Sequence, residues 1–298
     1  MPANPPNPTI LVPPSMHPLK HYPQAKKIYS RDRGRNYCEL WDLGNGVLYK
    51  FRAHKRGVYE SDIHALIQHS TTIPVPKIYR EWVTTGKDGA RVHHMTMQKI
   101  DGEPLYKVWA HLCPAGKQRI VNQLVDYLNQ MRSITSSSVR SVRGGPLYDE
   151  HGFIFHEKNA AHGPFTDDFS LWLGLTSHLR QGGSRAMTIA LSALHPLMPR
   201  AFPAVFTHAD LHQGNILVRH GSIAAIIDWE TAGFFPRWTE YILFYPRDNS
   251  RASEFDHAVM RRMKTYPAAR KFKMILDALD SSEVRIVDWA LKELKLKA

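Results

Sequence analysis

Residues 206–218, FTHADLHQGNILV, set His208, Asp210, His212 and Asn215 inside a short apolar frame. Polar side chains so close to residues of core type are costly to bury unless something uses them. His208, Asp210 and Asn215 are spaced H-x-D-x-x-x-x-N, and Asp228 follows thirteen residues after Asn215, at the end of an apolar run. Those residue types suit phosphoryl transfer. A carboxylate, Asp210, takes the proton of an attacking hydroxyl. Asn215 and Asp228 supply oxygen ligands for a divalent cation that neutralises phosphate charge.

Two other chemistries compete for the same residues. His208 and His212 lie four apart and share a face if the segment is helical, as zinc-binding pairs do. However, Gly214 and the run NILV read as a loop returning to a strand, no glutamate stands between the histidines, and a third ligand is not evident. The plainer alternative is structural, with His208 and Asp210 tying the loop to its own backbone, and His208 is expected to act in that way. Two carboxylates and a carboxamide bracketing a strand–loop–strand unit are more specific than any one of them, which favours phosphoryl transfer.

Such residues need elements to position them. IAAII, residues 223–227, reads as a buried strand ending at Asp228. Residues 36–52 read as two strands joined at Asn45-Gly46, a strong hairpin signal. Tyr59, Ile63, Leu66 and Ile67 then form a helical stripe that Pro74 and Pro76 prevent from continuing. A second hairpin spans 77–100 with its turn at TGKDG, and the connector DGEPL marks a lobe boundary. Beyond it the character is helical. Pro114 opens a helix with Ile120, Val121, Leu124, Val125, Leu128 and Met131 on one face. Thr166-Asp167-Asp168 resembles a cap before another helix, residues 185–198 read as helical, and two amphipathic basic helices are expected after Arg251. The fold class is therefore α+β, with a small antiparallel-sheet N-lobe carrying one helix (25–100) and a larger, mainly helical C-lobe (101–298). A proline-rich disordered arm, 1–24, precedes them, with eight prolines in its first 23 residues.

The formal net charge is +12, and basic clusters crowd the front of the chain. A basic stripe is the footprint of nucleic-acid binding, but no recognition helix, zinc finger or aromatic RNA-binding signature accompanies it. A solvated face, or a field drawing any polyanion including nucleotides, is preferred. No run of eighteen apolar residues occurs, so no membrane span is expected. Cys38 and Cys113, 75 positions apart, suggest neither a metal pair nor a disulfide framework, which suits a reducing, cytoplasmic setting.

The blocks FTHADLHQGNILV and IIDWETAGFFPRWTEY resemble the aminoglycoside phosphotransferase / choline kinase family of small-molecule kinases, which has a protein-kinase-like fold. More narrowly they are similar to fungal aminoglycoside-phosphotransferase-like proteins. Weaker pieces occur upstream in matching order (YKF, TTIPVPKIY, MTMQKIDGEPL, YLNQMRSI, GPFTDDF), so the resemblance covers roughly residues 35–245. It implies transfer of the γ-phosphate of ATP, with GTP left open, to a small-molecule hydroxyl, using Mg2+. Asp210 is then the catalytic base, and Asn215 and Asp228 are the metal ligands. Lys50 pairs with the α- and β-phosphates, Glu60 holds Lys50, and Met97, Gln98, Lys99 and Ile100 line the adenine pocket, partly through backbone groups. Plainer readings stand beside these: an exposed lysine on an edge strand, an acid favoured by a helix dipole, and an ordinary strand end.

Departures from the pattern carry information. No G-x-G-x-x-G precedes Lys50, Ala209 stands where protein kinases have arginine, and Asp-Trp-Glu replaces Asp-Phe-Gly. Control by a phosphorylated activation loop is therefore not expected. Glu230 reads as a supporting carboxylate, a substrate contact or a surface acid. A chain at +12 repels polycationic acceptors at long range, unless Glu230, Asp167, Asp168 and Glu240 form a local acidic pocket acting within a Debye length, ~8 Å. Trp229, Phe234, Phe235, Trp238 and Tyr241 either cage a quaternary ammonium or pack a core. The expected acceptor is a small hydroxylated metabolite, with no membrane or nucleic-acid partner and the oligomeric state open. The rival is a pseudokinase that binds a nucleotide or partner without turnover.

Overall fold

In the computed structural model the chain is described over residues 18–33, 36–55, 57–86, 89–149, 152–158, 160–244 and 253–296. The expected arm lies outside the described residues as far as residue 17; a 3-10 turn, Pro18–His21, follows. Then come β1 (Lys26–Arg33), β2 (Asn36–Gly44), β3 (Val47–Ala53), α1 (Glu60–Ser70), β4 (Ile78–Thr85), β5 (Arg91–Gln98), β6 (Glu103–Pro104) and α2 (Leu105–Val108). The chain continues through α3 (Pro114–Ser133), β7 (Thr135–Ser136), β8 (Leu147–Tyr148), β9 (Ala161–His162), α4 (Asp168–Leu175), α5 (Ser177–Gln181) and α6 (Arg185–Leu194). Strands β10 (Ala204–Thr207), β11 (Ile216–Arg219), β12 (Ser222–Ile226) and β13 (Gly233–Phe235) precede α7 (Thr239–Phe244), α8 (Glu254–Met260), α9 (Pro267–Leu279) and α10 (Val284–Glu293). Two compact units result. One is the chain up to Val108 with Gly214–Glu230; the other is Trp109–Gln213 with the chain from Thr231 onward.

The first unit is built on an antiparallel sheet in the order β1-β2-β3-β5-β4. Asn45 (φ 51°) and Gly46 (φ 74°) both adopt positive φ, as the hairpin turn between β2 and β3 requires. Successive residues of β3 face opposite sides of the sheet. Tyr49 and Phe51 pack with Leu43 and Trp82, and Leu19, Tyr22 and Ala25 close over that cluster. Lys50 and Arg52 therefore project from the other face. Helix α1 buries Glu60, Ile63, His64 and Ile67, each isoleucine contributing roughly 1.5–3 kcal/mol. A second, smaller sheet orders β12-β11-β6, with Leu217 opposite Pro104 and Val218 opposite Glu103. The DGEPL connector itself, through Glu103 and Pro104, thus pairs with the returning segment 214–230, because β6 completes the edge of the β11–β12 hairpin.

In the second unit, α3 starts at Pro114 and buries Ile120, Val121, Leu124, Leu128 and Met131. A three-stranded sheet orders β13-β10-β7. Asp167 caps α4 by accepting from Ser170 N at 2.7 Å. Among its described residues the tail holds three helices rather than two. The additional one, α8, is seven residues long and is started by a Ser253–Asp256 capping box, so it is too short to display a stripe in the sequence.

Candidate active site

Lys50 sits on the central strand of the large sheet and is 8% exposed, so it is not an edge lysine in solvent. Its Nζ lies 3.0 Å from Glu60 Oε1, 2.6 Å from Asp228 Oδ1 and 3.2 Å from Glu230 Oε2. Burial alone lowers a lysine, but Asp228, Glu230 and Glu60 outweigh it and hold Lys50 well above its ordinary value. It remains an ammonium. Glu60 is placed by a cap that the sequence conceals. Tyr59 at the N-cap offers no side-chain hydrogen bond, and Glu81 on β4 instead accepts the backbone N–H groups of Glu60 and Ser61, each at 2.8 Å. Burial pushes Glu81 up, yet hydrogen bonds from His93 and Ser61 bring it down to about 2, so the cap is an anion at the positive end of α1.

Glu230 is neither a surface acid nor exposed to substrate in this unit. It is 5% exposed and ringed by cations: Lys50, Arg52 Nε at 2.8 Å, Lys55 Nζ at 3.2 Å and Arg31 NH2 at 3.9 Å. Arg31 reaches it from β1, a strand that the basic composition of residues 26–33 disguises.

Asn215 and Asp228 flank the open end of the β11–β12 hairpin. Ile216 pairs with Ile226, and Ile227 N donates to Asn215 O at 3.0 Å. Asp228 has φ 63°, an uncommon conformation for a residue with a Cβ, costing about 1–3 kcal/mol. Burial, Glu230 and Glu60 push its carboxyl up while Lys50 opposes them. Glu60, Asp228 and Glu230 offer oxygens within 4.8 Å of one another. A carboxamide and crowded carboxylates are hard oxygen donors, and that donor set fits Mg2+.

Met97 and Ile100 are half-buried, whereas Gln98 and Lys99 are exposed. Gln98 N donates to Lys77 O and Lys99 N to Gly46 O, both at 2.8 Å, and Lys99 Nζ donates to Asp42 Oδ2 at 2.7 Å. The backbone donors of Gln98 and Lys99 are thus engaged within the unit.

In the second unit, β10 delivers the chain into His208-Ala209-Asp210. His208 is fully buried; its Nδ1 accepts from Asp210 N at 3.2 Å, and its carbonyl accepts from Thr231 Oγ1 at 3.0 Å. His208 therefore braces the loop, and the helical zinc pair with His212 does not form, because 208–215 is a loop between strands. Ala209 has φ 66°. Glu240, in the first turn of α7, accepts His208 N at 3.0 Å and also bonds the Ala209 backbone. Burial raises Glu240 to about 7, against those backbone hydrogen bonds and with Asp210 adding to the rise.

A model of the phosphotransferase enzyme family, APH, matches residues 57–273, which include Glu60, Asp210, Asn215, Asp228 and Glu240. The chain belongs to that family. Among solved structures it is similar to aminoglycoside phosphotransferase APH(4)-Ia, with a TM-score of 0.54 and 15% identity over 93% of this chain and 94% of that one. A thermostable mutant of that enzyme in ternary complex with ADP and hygromycin B gives 0.50 and 15%, over 93% and 95%. The GDP and kanamycin complex of APH(2")-IIia gives 0.50 and 15%, also over 93% and 95%. A search of the curated proteins finds no match. The shared fold is kinase-like and α+β, with an antiparallel sheet in the N-terminal part and helices in the C-terminal part.

In this phosphotransferase the four acids weighed as an acidic pocket have other tasks. Asp167 caps α4, Asp168 accepts Ala201 N at 2.9 Å, Glu240 holds the His208 loop, and Glu230 is neutralised by its cations. The aromatic residues Trp229, Phe234, Phe235, Trp238 and Tyr241 are all 5% exposed or less and serve as core. Burial pushes the Cys38 thiol up to about 11, which leaves it inert as a nucleophile. Glu81 and Glu240 are the contributors that the sequence did not single out for these tasks; both become visible only through their long-range partners.

Proposed function

We propose that this phosphotransferase moves the γ-phosphate of ATP, or of GTP, to a hydroxyl of a small metabolite, with Mg2+. The observation that carries the reading is the buried Lys50 ammonium shared by Glu60 and Asp228, which lie 10 and 178 positions away from it. A fixed charge of that kind binds α- and β-phosphate oxygens, and Glu60 and Glu230 keep it in place. Asn215 and Asp228 are the ligands we assign to Mg2+, which when bound neutralises phosphate charge. Asp210 orients the acceptor hydroxyl and takes its proton, on a loop that His208 and Glu240 brace. Residues 97–100 bound the base. Because the Gln98 and Lys99 N–H groups are already used, recognition of the base there falls to other backbone groups.

The relatives' complexes with ADP and hygromycin B, or GDP and kanamycin, support nucleotide binding and a hydroxyl-bearing acceptor. The net charge of +12, with the four weighed acids engaged elsewhere, favours a metabolite over a polycationic antibiotic. We place the protein in the cytoplasm on the strength of its two free cysteines. No helix among the described residues is long and apolar enough to cross a membrane. Its finer kinship with fungal aminoglycoside-phosphotransferase-like proteins rests on the blocks FTHADLHQGNILV and IIDWETAGFFPRWTEY.

The test is thermal stabilisation by ATP and by GTP, with and without Mg2+, followed by an acceptor screen that includes aminoglycosides. Phosphate acceptance by aminoglycosides alone would replace the metabolite. Nucleotide turnover that no acceptor accelerates would make this a nucleotide-binding protein instead.

A further inference from the structure

A second group of ligand-type side chains lies in the helical unit, on elements that none of the roles above uses. His156 in the 152–158 loop, His178 on α5 and Asp280 at the C-terminal end of α9 come together. His156 Nδ1 is 2.8 Å from Asp280 Oδ2, and His178 Nε2 is 3.5 Å from Asp280 Oδ1. The two imidazoles lie face to face, their centroids 4.1 Å apart and their planes 8° from parallel. One donor atom from each of the three residues lies within 4.8 Å of the others.

We propose that these three side chains bind a divalent transition-metal ion of the zinc type. Two imidazoles and one carboxylate are the nitrogen–oxygen donor set of three-ligand zinc sites, in which water takes the fourth position. Zinc–ligand distances of about 2.0–2.2 Å in a tetrahedron set donors roughly 3.3 Å apart. The donors must therefore draw in slightly, and the rings must tilt out of parallel. Both moves are open to them. The His156 side chain is 49% exposed, and His178 Nδ1 has no hydrogen-bond partner among the described residues that would hold its ring in the stacked pose. Asp280 also follows the last turn of the 13-residue α9, where carbonyl groups favour a cation. The nearby cation, Lys273, is paired with Asp277 at 2.5 Å, so it does not oppose the ion alone. Magnesium, which prefers oxygen ligands, is a poor match.

Such an ion ties the 152–158 loop to α5 and to the end of α9. Phe153 and Ile154 of that loop line a small recess together with Ala209 and Thr231, so occupancy fixes one wall beside the His208–Asp210 loop.

The experiment uses the full chain stripped by chelator, titrated calorimetrically with ZnCl2 and MgCl2, and examined by visible absorption with Co2+. Expected are one Zn2+ per chain, Co2+ bands indicating imidazole ligation, and a Zn2+-induced rise in Tm. His156→Ala and Asp280→Asn should each bind at least about tenfold more weakly. Because His156 is exposed, His156→Ala should melt like the parent without metal, so its loss of binding reports the ligand and not the fold. Absence of bound Zn2+, or unchanged affinity in both variants, would assign any ion to other groups and overturn the proposal.

Discussion

Glu240 links the charge of one buried carboxyl to the stability of the whole fold. It is 5% exposed, and burial lifts its carboxyl from an ordinary 4.5 to about 7. Between those two values the unfolded chain has lost the proton while the folded chain keeps it. The folded state binds more protons there, so stability falls as pH rises from about 4.5 to about 7 and is flat above. Linkage sets the total at about 3 kcal/mol. Glu240→Gln keeps an oxygen to accept His208 N, now 3.0 Å from Oε2, and places an N–H donor where the acid carries its proton. The variant should therefore lose this part of the pH dependence and be more stable than the parent at pH 8 by up to about 3 kcal/mol, or roughly 5 °C in Tm. Urea unfolding of both proteins from pH 4.5 to 8 isolates the difference, since every other titrating group is common to them. Parallel stability curves, or a variant weaker than the parent at pH 8, would show that the native carboxyl is ionised and that the backbone amides outweigh its burial.

Asp210→Asn should lower turnover by about 10²–10⁴-fold while ATP still raises Tm; undiminished turnover would remove Asp210 as the base. Asp228→Ala should abolish the Mg2+-dependent part of the ATP-induced thermal shift, and an unchanged shift would count against its role as ligand. Glu230→Gln leaves Lys50, Arg52 and Lys55 buried without their shared carboxylate. It should cost about 3–5 kcal/mol in urea unfolding, whereas the ~0.5 kcal/mol typical of a surface acid would dissolve that network.

What could be read from the sequence was whatever depends on near neighbours. The Asn45-Gly46 turn needs two adjacent positive φ values, the α1 and α3 stripes repeat within a turn, and the 208–215 spacing sits in one loop. The rest depends on partners far along the chain. β1 reads as solvated charge because Ile28 and Tyr29 are 53% and 49% exposed, and only its pairing with β2 makes it a strand. Glu81 caps a helix that starts 21 positions before it, a distance no capping pattern spans. Glu230 reads as a supporting carboxylate, a substrate contact or a surface acid until β1 and β3 supply its cations. The same reasoning explains why Lys50 could be named but not weighed. A lysine on a strand is ordinary when exposed and costly when buried, and whether Glu60 and Asp228 offset that cost is settled by the pairing of β3 between β2 and β5, together with the return of residues 214–230 to this unit. Charge placement, not residue type, separates this lysine from the others in the basic front of the chain.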